Sequence, residues 1–143
     1  MTTTPLIDRS ACTALVLTCS DFRFKSAERA FAEASGLTDD YDLIARPGAA
    51  RLIVAPRKPA MRDTLLDEVR LLWSVHHFPR ILLVNHVSCR AYDDIATSEN
   101  EQALHADHLQ RAAEVLTNDY ANTSIETYLV DRTPTGIAVR PIP

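Results

Sequence analysis

The sequence predicts a small three-layer α/β domain built on a mostly parallel sheet. Two observations carry that reading. Short apolar runs alternate with longer segments of helical spacing along the chain. The run ILLV at 81–84 is apolar without alternation, as expected of a parallel strand covered on both faces.

The elements follow in order. Residues 1–10 read as a loose lead-in, and residues 11–143 as the single folded domain. ACTALVLTC at 11–19 is too short for a helix and rich in Val, Leu and Thr, which predicts a strand. KSAERAFAEAS at 25–35 predicts a helix that Gly36 stops. Residues 41–54 predict a strand, a turn at Pro47-Gly48 and a continuation of open type, and RKPA then reads as a break. Residues 61–77 carry Leu65, Val69, Leu72, Trp73 and His76 at helical spacing. The strand 81–86 follows Pro79. Residues 99–118 form the clearest helix, with Leu109, Ala112, Val115 and Leu116 as its apolar stripe. Residues 124–131 predict a strand, and RTPTG a turn into a last, antiparallel edge strand. Right-handed crossovers are expected between the parallel strands.

Composition narrows the function classes. Hydrophobic residues make up 46% and charged residues 24% of the chain, which excludes disorder throughout. With 15 Lys and Arg against 19 Asp and Glu, a net charge of -4 gives no general pull on nucleic acid. No stretch approaches the length of a membrane span, and MTTTPLIDRS lacks the pattern of a signal peptide. The expectation is a cytoplasmic protein with neither membrane nor nucleic acid as partner. Three cysteines, Cys12, Cys19 and Cys89, do not suit a disulfide framework.

One constellation carries chemistry. Cys19 and Asp21 follow the first predicted strand, and His86 and Cys89 follow the third. In a parallel sheet those strand ends share an edge. Two sulfurs and an imidazole suit zinc, and three protein ligands leave a fourth position. Cys19, His86 and Cys89 are therefore the candidate metal ligands, with Zn2+ as the expected cofactor. Asp21 and Arg23 alternate in C-S-D-F-R and are expected to pair, with the carboxylate oriented toward the metal. Asp21 would accept a hydrogen bond from metal-bound water, or rotate in as a fourth ligand and close the site. Cys12 is expected in the core, as is at least one of Phe22 and Phe24, and Trp73 in the core or an interface. His76 and His77 complement a helix end. His105 and His108 share a helix face, but no further ligand accompanies them. Three glycines give no phosphate-cradling loop.

CSDFR at 19–23 with HVSC at 86–89 resembles the paired C-x-D-x-R and H-x-x-C signature of the β-class carbonic anhydrases. YLVDRTPTGIAV at 128–139 is similar to the family's late strand-turn-strand, and the resemblance spans roughly residues 12–140. It implies sheet order 2-1-3-4 with an antiparallel edge strand. It implies reversible hydration of carbon dioxide to bicarbonate by a zinc-bound hydroxide, with Cys19, His86 and Cys89 as ligands. Asp21 and Arg23 would be the catalytic pair, with Asp21 as fourth ligand in the closed form. A homodimer or higher homo-oligomer is implied as well.

The departures are specific. Asn85 and Arg90 stand where the family has glycines, the chain is short for the family, and no long N-terminal arm precedes residue 11. Arg46 and Arg90 are the residues expected to modify the pocket. Two alternatives stay open: a non-catalytic zinc-binding domain of the same type, and a hydrolase acting on carbonyl sulfide or carbon disulfide.

Overall fold

A computed structural model describes residues 1–92 and 100–143. Five strands form one sheet in the order β2-β1-β3-β4-β5: Ala14–Thr18 (β1), Tyr41–Ala45 (β2), Arg80–His86 (β3), Ser124–Thr133 (β4) and Gly136–Pro141 (β5). The first four are parallel, and β5 returns antiparallel to β4 with Thr133 opposite Gly136. The fold class, the order 2-1-3-4 and the antiparallel edge strand are thus as the sequence predicts.

Central strands β1 and β3 explain the apolar runs. Every residue of β1 is buried, and every residue of β3 after Arg80. Such strands need apolar side chains toward both faces. Helix α1, Lys25–Ala34, covers the face that carries Val16, Leu82 and Val84. It ends at Gly36, whose φ of +73° supplies the left-handed turn at the helix end. Helix α4, Glu101–Asp119, covers the other face and packs on β3 and β4. Between α4 and helix α3, Pro59–His76, lies the one-turn helix α2, Arg51–Val54.

Several boundaries differ from expectation. The continuation after Pro47-Gly48, of open type in the sequence, is the one-turn helix α2. The RKPA break is the start of α3, with Pro59 in its first turn, where a missing N–H costs nothing. The expected helix start at residue 99 lies outside the described residues. Trp73 is not core: it is partly exposed on α3, with its ring against His77 and Tyr120. Cys12 is only half-buried, because it precedes β1 by two residues and so escapes the strand's enclosure. Residues 1–10 are exposed and carry no strand or helix. Among the described residues, no helix is long and apolar enough to cross a membrane.

Candidate metal centre

β1 and β3 are hydrogen-bonded neighbours and run the same way, so the turns after them meet at one sheet edge. Cys19 leaves β1 there, His86 ends β3, and Cys89 follows in the next turn. All three are buried, and their ligand atoms lie within 4.8 Å of one another. The two sulfurs are 3.9 Å apart. The sequence separation of the two motifs is cancelled by the strand register.

His86 is set by its neighbours. Its ring stacks on Phe24 with centroids 4.0 Å apart. Its Nδ1–H donates to the Val87 carbonyl at 2.8 Å, which puts the lone pair on Nε2. That Nε2 is buried and has no hydrogen-bond partner among the described residues. A buried polar atom without a partner is costly. Two thiols within reach of it supply the donor set of a zinc ligand group. The residues present therefore fit a metal ion.

The sulfurs are prepared for that role. The neighbouring Cys89 thiol, the His86 ring and the Gly48 and Asp21 backbone N–H groups hold Cys19 well below the usual thiol range. The hydrogen bond to Cys19, burial and the charge on Cys19 push Cys89 up. One proton is thus shared between the two sulfurs, and a divalent cation would displace it. Gly48 is needed here for its backbone: its φ is +91°, and an added Cβ would stand 3.4 Å from Ala91 Cβ. Gly48→Ala should destabilise the chain by about 1–2 kcal/mol, read as a lower urea midpoint at unchanged slope.

Asp21 is extended and caps the 3-10 turn Phe22–Phe24, accepting from the Arg23 N–H at 3.0 Å. That turn, rather than the extended alternation expected, brings Arg23 back over Asp21. Arg23 Nε donates to both carboxylate oxygens at 3.0 and 3.1 Å, and Nη2 to Oδ2 at 2.6 Å. These bonds pull Asp21 down to about 2. Asp21 Oδ2 lies 3.8 Å from His86 Nε2, yet Asp21 is not a member of the three-ligand group. Arg23 Nη2 also donates to the Ser88 carbonyl at 3.1 Å, which ties the first motif to the second.

The pocket residues divide. Arg90 lies with Asp21, Arg23, Cys19 and Cys89 around an open cleft of about 540 Å³. Arg46 does not line that cleft and pairs instead with Glu68, while its neighbour Pro47 lines it. Phe24 is core, and Phe22 is exposed beside the cleft.

Sequence reasoning missed a supporting shell. Ser88 sits at φ +55° between His86 and Cys89, its N–H on Glu101 and its hydroxyl on Arg132. Behind β3, Asn85 Nδ2 donates to Tyr92 Oη at 2.9 Å and to His105 Nδ1 at 3.0 Å, and its Oδ1 accepts from the Ala50 N–H. Tyr92 Oη lies 3.1 Å from His108 Nδ1. Asn85 thus joins a buried network with Ala50, Tyr92 and His105. The spacing of Glu101, His105 and His108, four and then three residues apart, places them on one helix face and was the available signal.

His105 is fully buried, and burial pulls its pKa down from 6.5 to about 4. Between those values the unfolded chain binds a proton that the folded chain refuses. Stability should therefore rise with pH across that window, and acidification through it should cost about 3 kcal/mol from this group. Urea melts at pH 7 and pH 4 should show that loss in the parent and a smaller loss in His105→Phe.

A family model described as "Putative carbonic anhydrase" matches residues 9–139. The chain belongs to this family. Two uncharacterised rickettsial proteins are similar to this family member, each 25% identical over 122 residues and 81% of the chain. That span is 74% of the protein from Rickettsia bellii and 66% of the one from Rickettsia conorii. The fold is shared with β-carbonic anhydrase isoform I of Trichomonas vaginalis, at TM-score 0.57 and 16% identity, over 99% of this chain and 87% of that one. It is shared also with the β-carbonic anhydrase CafD of Aspergillus fumigatus, at TM-score 0.54 and 14% identity, over 96% and 93%. The chain is thus a β-carbonic-anhydrase-like family member that carries a Cys2His cluster suited to a metal.

Proposed function

We propose that this chain catalyses the reversible hydration of carbon dioxide to bicarbonate, with zinc held by Cys19 Sγ, His86 Nε2 and Cys89 Sγ. The observation that carries the reading is His86 Nε2, buried without a hydrogen-bond partner among the described residues and within 4.8 Å of two thiol sulfurs. Family membership supports the same chemistry. Zinc bound there supplies a water acidic enough to yield hydroxide near working pH.

The chain's own residues do the rest. With its pKa near 2, Asp21 stays ionised and accepts a hydrogen bond at its carboxylate. So acidic a group orients a nucleophile and does not store its proton, which must leave to solvent through the open cleft. Arg23 holds Asp21 through three guanidinium contacts, which favours a carboxylate beside the metal over one bound to it. Arg23 and Arg90 place positive charge at the cleft, which suits an anionic product. A domain over residues 11–143, cytoplasmic location and assembly as a homodimer complete the reading, the last to be read by sedimentation.

Initial rates on one zinc-loaded sample test it, with carbon dioxide, carbonyl sulfide and carbon disulfide as parallel substrates. Carbon dioxide hydration above the buffer background is the expected result. Turnover of only the sulfur compounds would make the chain a hydrolase. Background rates on all three, at full zinc content, would make it a non-catalytic zinc domain.

A further inference from the structure

A second set of metal-ligand side chains converges at the opposite edge of the sheet. Cys12 stands two residues before β1, Asp42 is the second residue of β2, and His76 is the last residue of α3. β1 and β2 run parallel with Leu15 opposite Asp42, so their starts share the edge away from Cys19 and His86. Cys12 Sγ, an Asp42 carboxylate oxygen and a His76 ring nitrogen lie within 4.8 Å of one another. His76 Nδ1 is 2.7 Å from Asp42 Oδ2.

The three backbones that carry these groups are tied together. The Cys12 N–H donates to the His76 carbonyl at 3.4 Å, and the Thr13 N–H to the Asp40 carbonyl at 3.1 Å. Thr13 Oγ1 donates to the Asp40 carboxylate at 2.5 Å, and Arg9 holds the other side of that carboxylate at 3.2 Å. The cluster is therefore preorganised by residues that would not bind the metal themselves. It is also half-buried, so an ion can reach it from solvent.

We propose that Cys12 Sγ, Asp42 Oδ2 and His76 Nδ1 form a second divalent-cation site, selective for zinc or a metal of similar softness. One sulfur, one nitrogen and one oxygen form a mixed set that zinc accepts in tetrahedral geometry, with water as fourth ligand. Tetrahedral ligands at zinc distances stand about 3.4 Å apart. The His76–Asp42 pair, 2.7 Å apart, must open slightly to admit the ion. Binding exchanges the thiol proton for the metal: the S–H bond breaks, an S–metal bond forms, and the proton goes to solvent. Burial and the negative charges of Asp42 and Asp40 keep the Cys12 thiol protonated without a cation, and a cation reverses that balance.

The site does not depend on the proposed activity. Chelator-stripped full chain should be titrated with zinc and the bound ions counted. Two ions per chain are expected in the parent, and one in Cys12→Ser/His76→Gln. Cobalt(II) supplies a second readout on Cys19→Ser/Cys89→Ser: a thiolate-to-metal charge-transfer band that disappears when Cys12→Ser is added. Equal zinc content in the parent and Cys12→Ser/His76→Gln would overturn the proposal, leaving Asp42–His76 as a hydrogen-bonded pair only. That comparison decides the matter even where Cys19→Ser/Cys89→Ser fails to fold.

Discussion

Zinc should raise the melting temperature of the metal-stripped chain, and Cys19→Ser, His86→Ala and Cys89→Ser should each remove most of that rise. A ligand that binds only the folded state stabilises by mass action, about 4 kcal/mol at a thousandfold excess over Kd. For a chain of this size that is a shift of about 10 °C. The zinc-induced shift is the readout, because each substitution also perturbs a buried position on its own account. The rise should shrink as pH falls, since zinc must displace the proton shared by Cys19 and Cys89. A full zinc-induced shift in any one variant would remove that residue from the ligand set. Scanning calorimetry with and without zinc, on a Cys12→Ser/His76→Gln background, isolates this site.

Asp21→Asn should keep zinc and lose turnover by about 100-fold, the scale seen for groups that orient a metal's ligands or a transferred proton. Asparagine keeps the size of Asp21 and removes its charge. Arg23 then loses its bidentate partner, and the acceptor beside His86 Nε2 is weakened. Arg23→Ala should act in the same direction by a different route. Freed of three guanidinium contacts, the Asp21 carboxylate can swing toward the metal and take the fourth position. Its loss of rate should therefore come with unchanged zinc content and a changed fourth ligand. Metal analysis beside stopped-flow carbon dioxide hydration separates the two effects from simple metal loss. Full activity in Asp21→Asn would end the acceptor role assigned to this carboxylate.

The sheet was legible because its signals are local. ALVLT and RILLV are strands that only a two-sided burial explains, and helical spacing marked α1, α3 and α4. The cysteine–histidine cluster was legible for a topological reason: parallel neighbours bring their following turns to one edge. What escaped depends on long-range pairing. The role of Asn85 cannot be read from 81–86, since its partners are Ala50, Tyr92 and His105. Arg46 looked like a pocket residue by its place after β2, but its direction is set by Glu68 on α3. The 3-10 turn at Phe22–Phe24 was hidden because three residues give no periodicity, and the Asp21 cap is visible only once Arg23 folds back. The cluster of Cys12, Asp42 and His76 joins three segments with no motif among them.

The most direct test is a crystal structure of the zinc-loaded chain at alkaline pH, with anomalous scattering measured at the zinc edge. Zinc is expected on Cys19 Sγ, His86 Nε2 and Cys89 Sγ, with Asp21 still on Arg23 and a solvent oxygen in the fourth position. Zinc missing from that edge of the sheet, or an Asp21 oxygen in the fourth position at alkaline pH, would contradict this assignment.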